Sequence, residues 1–482
     1  MTLKTVSQLQ ENCHGIVSLR PIMQSWMTQC LSRDRLFDWV QEYGSPLNLI
    51  STDPMSRNVL ELQQVAEQFG IDFQVFFARK ANKCLAFVDQ ANHDCIGIDT
   101  ASENEVSQTL RCGMDAEKLI CTAAIKSRSM IRLCVHSGVT IAVDNQDELR
   151  LVSDVAKQLG NVAKIAIRLG GFFHHEDKLF TRFGFDASAM ELLDQIDREA
   201  LQLVGFHFHL DGYDPSQRVS AIGQTLAWVD RAKELRFNPT FIDIGGGFPM
   251  SYLDHQDEWD SFWDQLQQAI LGQREPITYR NHGLGLIAVD NCIHGSRQSY
   301  PYFQKPVRSE WFQQILQASI DERTVADALR QRHLQLRCEP GRSLLDGCGM
   351  TVAQVEFTKQ NADGETLVGL SMNRTQCRTS SDDFLVDPIV VKKSKAESQV
   401  SQSGYFVGAY CTESELISLR KFVFPNGIRR GDLVAFPNTA GYLMHFLESR
   451  SHQFPLAKNL VVGDEVRLDA IEDLEMSAAQ TK

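Results

Sequence analysis

Eight short apolar runs recur between residues 73 and 339, and the stretches between them carry apolar positions at helical spacing. The runs span residues 73–79, 95–99, 119–122, 140–144, 164–168, 204–209, 240–244 and 334–339. A run such as Val75-Phe76-Phe77-Ala78 has no polar alternation, as expected of a strand buried on both faces of a parallel sheet. Strands alternating with helices predict βαβ units, and eight of them favour a closed (β/α)8 barrel over a doubly wound open sheet. Several runs end at a polar residue: Lys80, Asp99, Arg168, His209, Asp243 and Glu339. The carboxyl ends of barrel strands are where such folds place their chemistry.

Around the barrel the pattern changes. Residues 1–45 read as a helical, partly amphipathic extension, and 46–51 as a short strand. Val59, Leu62, Val65, Ala66 and Phe69 then line one face of a helix that Gly70 stops. The seventh and eighth runs lie about ninety residues apart, too many for one helix, which predicts an insertion at about 250–333. Within it, Trp259–Leu271 and Trp311–Arg332 read as helices, while 279–306 has no periodicity. From 343 onward short alternating strands (350–360, 365–370, 399–410, 432–437 and 459–466) predict an all-β domain, into which strand 46–51 can pair. The division is therefore an extension (1–45), a barrel (46–342) and a β domain (343–482).

Charge and cysteine usage narrow the function classes. Lys plus Arg number 48 against 61 Asp plus Glu, a net charge of −13. That argues against nucleic-acid partners and anionic membranes. No apolar run reaches the roughly 18 residues of a membrane span, and residues 1–10 lack a signal-peptide pattern. Twelve cysteines without a CxxC pair read as reduced thiols of a cytoplasmic protein.

Four motifs carry chemistry. A lysine closing a buried strand, Lys80, has its ammonium form disfavoured by desolvation and so becomes an amine nucleophile for an aldehyde cofactor. The strand 240–244 runs into Gly245-Gly246-Gly247, whose backbone can approach a phosphate closely. Cys338-Glu339-Pro340-Gly341-Arg342 places a glutamate at the end of the eighth run, where it can keep a pyridine nitrogen positive and make the ring an electron sink. His207 and His209 alternate on one face of the sixth strand. A flat ring to stack on or a two-histidine metal site would both use them, but no third ligand has convincing spacing, so no metal is assigned.

Together these residues resemble the fold-type III pyridoxal-phosphate enzymes, the group of ornithine, arginine and diaminopimelate decarboxylases, from about residue 46 to about 465. Ala78-Arg79-Lys80-Ala81-Asn82 is similar to the family's cofactor-lysine motif, Gly97-Ile98-Asp99-Thr100-Ala101-Ser102 to the segment after its second strand, and Arg182-Phe183-Gly184-Phe185 to its Lys-Phe-Gly turn. The resemblance implies an alanine-racemase-like barrel with a β domain, and pyridoxal 5′-phosphate joined to Lys80. It places Asp99, Arg168, His209, Gly245, Gly246, Gly247, Glu339, Arg342 and Tyr442 around the cofactor. Cys411, in Gly408-Ala409-Tyr410-Cys411-Thr412-Glu413, is the implied proton donor, in a loop that enters the partner's site of a homodimer. The activity implied is decarboxylation of an amino acid or amino-acid-like conjugate. The alternatives are a racemase or epimerase on the same cofactor, and a non-catalytic regulatory homologue.

The sequence departs from the family at three places. His209-Leu210-Asp211-Gly212 lacks the family's phosphate-binding serine, Thr412 stands where an acid usually follows the cysteine, and Met372-Asn373 lacks the following Arg-Pro. Thr412, Glu413, Arg378 and Arg420 are then the candidate substrate contacts, with a neutral or acidic distal group expected. The chain resembles a divergent branch, near siderophore or natural-product decarboxylases.

Overall fold

The two-residue period of a strand puts alternate side chains inside a closed sheet, and residues 73–338 fill a barrel in that way. The computed structural model describes residues 6–32, 35–379, 383–394 and 400–473. Its barrel strands are β1 (Phe73–Ala78), β2 (Gly97–Thr100), β3 (Leu119–Cys121), β4 (Thr140–Val143), β5 (Ala163–Gly170), β6 (Leu201–Phe208), β7 (Phe241–Asp243) and β8 (Gln335–Cys338). Each pairs in parallel with the next, and β8 returns to β1 through Leu336↔Phe73, Arg337↔Gln74 and Cys338↔Val75. The sheet is closed.

The lower layer of the interior is mostly apolar. Phe76, Ile120 and Ala142 form a small buried cluster of their own. Arg337 lies flat over the Phe241 ring, 3.7 Å from its centroid, so its charge is solvated by an aromatic face. Two large rings fit because their neighbours have no side chain: a Cβ on Gly205 would stand 2.6 Å from Phe241, and one on Gly97 would collide with Phe76. Outside, helices cover the sheet. The Asp53–Gln68 helix carries Pro54 in its first turn, buries Val59, Leu62, Val65 and Ala66, and ends at Gly70 with φ +60°. Truncating a buried ring such as Phe77 to alanine would cost about 3–5 kcal/mol.

The β domain is stitched from both ends of the chain. Leu47–Ile50 lies between Gly349–Gln360, antiparallel, and Lys458–Val462, parallel. The strands Thr366–Leu370, Gln402–Val407 and Leu433–Pro437 extend the sheet. Two further strands, Ile389–Val391 and Phe422–Phe424, were not expected; at three residues each they are too short to show alternation. Gln399, at the start of the expected 399–410 strand, lies outside the described residues, as do residues 1–5 of the extension and the chain beyond 473.

Three expectations are corrected. The extension is not helical throughout: between the helices Val6–Gln10 and Ser25–Leu31 the chain is extended, and His14–Gly15 pairs with Phe422–Val423. Asp387 holds it there, accepting from the N–H groups of Gly15 and Leu19 at 3.0 Å each. Residues 311–332 are not one helix but two, Arg308–Gln317 and Val325–Gln331, separated by a small hairpin. Finally, 279–306 contains the hairpin Leu286–Val289/Cys292–Gly295. Its turn residues Asp290 and Asn291 both adopt positive φ (50° and 59°), as a two-residue hairpin requires.

Candidate active site

Above the apolar layer, the next inward position of seven strands is polar: Asp99, Thr122, Asp144, Arg168, His207, Asp243 and Glu339. All but Asp144 are buried. Such a ring is stable only if its members satisfy one another. Thr122 donates to Asp99 Oδ1. Arg168 Nη1 reaches Asp144 Oδ1 and the Thr122 carbonyl, both at 3.4 Å, and its guanidinium lies 4.1 Å from the centre of the Phe183 ring. Asp144 Oδ1 also accepts from the N–H of Gly184 at 3.0 Å. The Arg182–Phe185 turn is thereby pinned to the rim.

Lys80 closes β1 in a single helical turn, Arg79–Ala81, and stands one layer higher with 34% of its side chain exposed. Its Nζ donates to Asp99 Oδ2 at 2.9 Å. Here the expected chemistry is corrected. Burial alone lowers the pKa, but Asp99, Tyr442 and Glu339 together outweigh it and raise the lysine above its ordinary value. Lys80 is an ammonium held by a carboxylate, so it becomes a nucleophile only after passing a proton on.

Glu339 follows β8. Its Oε1 lies 3.2 Å from His207 Nε2, and Asp243 completes a buried cluster whose donor and acceptor atoms lie within 4.8 Å of one another. Burial raises Glu339 to about 8, with Asp99 adding to the effect. It likewise raises Asp243 to about 7, Glu339 adding its share, and lowers His207 to about 3, with Arg168 contributing. The two histidines therefore do different things: His207 is deep and neutral, whereas His209 stands a layer higher, its Nδ1 accepting from the N–H of Gly246 at 3.2 Å.

Gly245 and Gly247 adopt positive φ (67° and 78°). A Cβ on Gly245 would meet the Phe208 carbonyl at 2.6 Å, and one on Gly246 the Glu339 carbonyl at 2.8 Å. Across from this cradle, Arg342 Nη1 donates to Tyr252 Oη at 2.9 Å and stacks 4.3 Å from the centre of Tyr300, a residue of the insertion. Tyr442 lies over Gly341, where a Cβ would stand 2.7 Å from its hydroxyl, and its N–H donates to the Ala81 carbonyl at 2.8 Å. The β domain thus touches the lysine turn directly.

The remaining expected residues are elsewhere. Cys411, Thr412 and Glu413 are exposed on a β-domain loop, and no contact joins them to Lys80 among the described residues. That loop is not extended as expected: the Thr412 N–H donates to the Tyr410 carbonyl and the Glu415 N–H to the Thr412 carbonyl, a turn that buries Glu415 against the N–H of Arg374. Arg378 pairs with Asp383 at 2.7 Å. Arg420 is not a surface cation; it is buried inside the β domain on Asp387, with the Val17 carbonyl at its other end.

A pyridoxal-dependent decarboxylase, pyridoxal binding domain model matches residues 56–287. Over those residues the chain is similar to the pyridoxal-binding domain of the pyridoxal-dependent decarboxylases. It is 29% identical to the uncharacterized protein y4yA of Sinorhizobium fredii over 461 residues, 94% of this chain and 95% of that one. The diaminopimelate decarboxylase of Halalkalibacterium halodurans is 26% identical over 227 residues, 44% of this chain and 52% of that enzyme, so the likeness spans about half the relative's length. In fold, the diaminopimelate decarboxylase from Helicobacter pylori complexed with L-lysine superposes with a TM-score of 0.67 at 19% identity, over 92% of this chain and 99% of that one. The barrel-plus-sheet architecture is thus that of the fold-type III decarboxylases.

The residues present fit the family's pyridoxal phosphate. Glu339 Oε1, Asp243 Oδ2 and Arg168 Nε are buried without a hydrogen-bond partner, which is costly unless a polar ligand completes them. An acid at one end, a glycine cradle and a guanidinium at the other, and a lysine between them match a flat basic ring that carries a phosphate. The sequence pairs His207 with His209 on one face but does not place it beside Glu339, and it gives no role to Thr122, Asp144, Tyr252 or Tyr300. The two-residue period already placed His207 on the inward face, but its layer follows from the stagger of the closed barrel. The tyrosines lie in or beside the aperiodic insertion and carried no signal.

Proposed function

We propose that the chain is a decarboxylase of an amino acid or amino-acid-like conjugate, with pyridoxal phosphate bound at the carboxyl mouth of the barrel. The reading is carried by one pairing: Lys80 at the end of β1 and Glu339 at the end of β8, adjacent strands facing one interior. When bound, the cofactor supplies an electron sink for the pair left on carbon as carbon dioxide departs.

The chain's own residues do the rest. Lys80 would hold the cofactor's aldehyde carbon, and Asp99, 2.9 Å away, fixes the position of its amine and holds it as an ammonium until its proton is passed on. Glu339 would pair with the ring nitrogen and keep charge there, and His209, its Nδ1 fixed by the Gly246 N–H, would stack on the ring. Gly245–Gly247 and Arg342 would hold the phosphate, and Tyr442 covers the lysine turn. Cys411 is the proton donor to carbon. Because it is exposed and no contact joins it to Lys80 among the described residues, it would act from a second copy, which makes the working unit a homodimer. Thr412 and Glu413 would follow it into the partner's site, and Arg378 donates to the Leu416 carbonyl at the end of that loop at 3.3 Å. Arg420, already paired with Asp387, is not part of the proposal. Twelve free thiols suit a reducing, cytoplasmic setting, and no described helix is long and apolar enough to cross a membrane.

The test is a screen of purified protein for carbon dioxide release across amino acids and carboxylated conjugates, with borohydride reduction and peptide mapping. Release of carbon dioxide and an adduct on Lys80 are expected. An adduct on another lysine would remove the reading. Inverted or racemised substrate without carbon dioxide would turn it into the racemase alternative.

A further inference from the structure

Arg218 lies in the first turn of the Pro215–Glu234 helix, and its guanidinium is completely buried. An interior cation is costly unless an anion or several dipoles compensate it. No carboxylate forms an ion pair with it among the described residues. The two acidic neighbours, Asp211 and Asp214, are exposed and engaged locally: Asp211 accepts from the Gly212 N–H at 3.0 Å, and Asp214 from the Ser216 N–H at 2.8 Å.

Three carbonyls take the anion's place. Nη2 donates to Leu210 O at 2.9 Å, Gly212 O at 3.1 Å and Gly246 O at 3.4 Å, while Nε and Nη1 have no partner. Those carbonyls come from the two loops, after β6 and after β7, that form the glycine cradle. Gly247 must be glycine here, since a Cβ would collide with Nη2. In a trans peptide the carbonyl and the following N–H point in opposite directions. Turning these oxygens onto Arg218 therefore turns the N–H groups of Asp211, Tyr213 and Gly247 away from it. Neither the Asp211 nor the Gly247 N–H has a partner among the described residues. Burial lowers the guanidinium to about 10, with Tyr213, Asp211 and Asp214 opposing, so it stays charged at neutral pH.

We propose that Arg218 is the positioning cation of the cofactor-phosphate site: it orients the two cradle loops so that their N–H groups face a phosphate monoester, and it supplies a buried positive charge beneath them. The proposal rests on the pyridoxal-phosphate reading. It explains how the loop works with a glycine at position 212, which offers no hydroxyl. The two unpartnered nitrogens and the absent carboxylate are what a site lacks until its anion arrives.

The experiment compares the wild-type full chain with R218M and R218K, stripped of cofactor and titrated with pyridoxal 5′-phosphate and with pyridoxal, which has no phosphate. R218M should bind the phosphate ester on the order of 10²-fold more weakly, as loss of a charge-assisted contact implies, with pyridoxal affinity changed less than about threefold. R218K should recover part of the difference. An equal loss for both compounds, or an unchanged affinity for the ester in a folded variant, would overturn the proposal. If R218M does not fold, R218K alone decides, by showing or not showing a loss confined to the ester. Inorganic phosphate separates this failure from failure of the cofactor reading. Protection of the wild type from thermal unfolding, absent in R218K, supports the anion site even if neither pyridoxal compound binds; equal protection of both counts against it.

Discussion

His207 Nε2 and Glu339 Oε1 stand 3.2 Å apart beneath the mouth of the barrel, both buried. Neither atom has a hydrogen-bond partner among the described residues, and a neutral imidazole turned with its proton on Nε2 toward the carboxylate favours the ionised acid, the state that keeps a ring nitrogen protonated. His207→Phe removes that donor and leaves a buried acid more tightly protonated; His207→Gln keeps an N–H in reach. We expect H207F to retain cofactor but lose on the order of 10- to 10²-fold in kcat, and H207Q to recover much of it. The ¹⁵N chemical shift of labelled cofactor should move toward the unprotonated ring in H207F. An unmoved shift would make His207 a packing residue only.

Asp243 makes a pH prediction with a definite sign. Its folded pKa is raised from 3.8 to about 7, so the folded state holds a proton that the unfolded state has released. Stability from this group is complete below the unfolded pKa and is lost as pH rises through about 4 to 7. Asp243→Asn removes that dependence. In urea titrations of the cofactor-free protein, the stability of D243N relative to wild type should climb with pH across this window, by at most about 1.4 kcal/mol per pH unit. A flat difference would show that Asp243 ionises normally in the fold.

Substrate choice follows from Thr412. A cationic distal group brought into a partly enclosed site needs an anion beside it, and a threonine hydroxyl has no charge. Glu415 cannot serve, because the turn of its loop buries it against the Arg374 N–H at 2.8 Å. The expected order of kcat/KM therefore puts ornithine, lysine and diaminopimelate below substrates with a neutral or acidic distal group. Steady-state kinetics on both sets check this, and a diamino acid at the top of the ranking would assign the recognition to Glu413.

A site shared between two copies, as proposed above, predicts complementation. K80A removes the cofactor lysine and C411A the proton donor, so each homodimer should be inactive. Mixed dimers rebuild one intact site of two, and random reassortment of equal amounts should restore about a quarter of wild-type activity. No recovery after verified subunit exchange would return Cys411 to its own chain's site or remove it from the chemistry.

The barrel was legible because most of its strands are buried on both faces and so appear as apolar runs, several ending at a residue of opposite character such as Lys80 or Glu339. The hairpin at 286–295 was equally available from Asp290-Asn291, a turn pair that tolerates positive φ, but its strands are mostly exposed and carry no hydrophobic period. Arg218 was not legible. A lone arginine in a helix reads as solvated, and only the approach of two loops from different strands makes it an interior charge. The state of Lys80 was misjudged for the same reason: desolvation is readable from one strand, whereas the carboxylate that overrides it comes from the next.

The strand Leu47–Ile50 sits between partners that follow it by about 300 and about 400 residues. During synthesis the barrel can close once β8 has emerged, yet this strand must wait beside it until residues near 462 leave the ribosome. Ser45 beside it and Asn48 within it bond to residues on both sides of that delay, Ser45 to the Ser371 carbonyl and Asn48 to Asn459. Nascent chains halted after β8 has cleared the ribosome but before Lys458–Val462 has done so should therefore present a formed cofactor cradle with a bare β edge, and the later residues act as the latch that commits the chain to its finished shape.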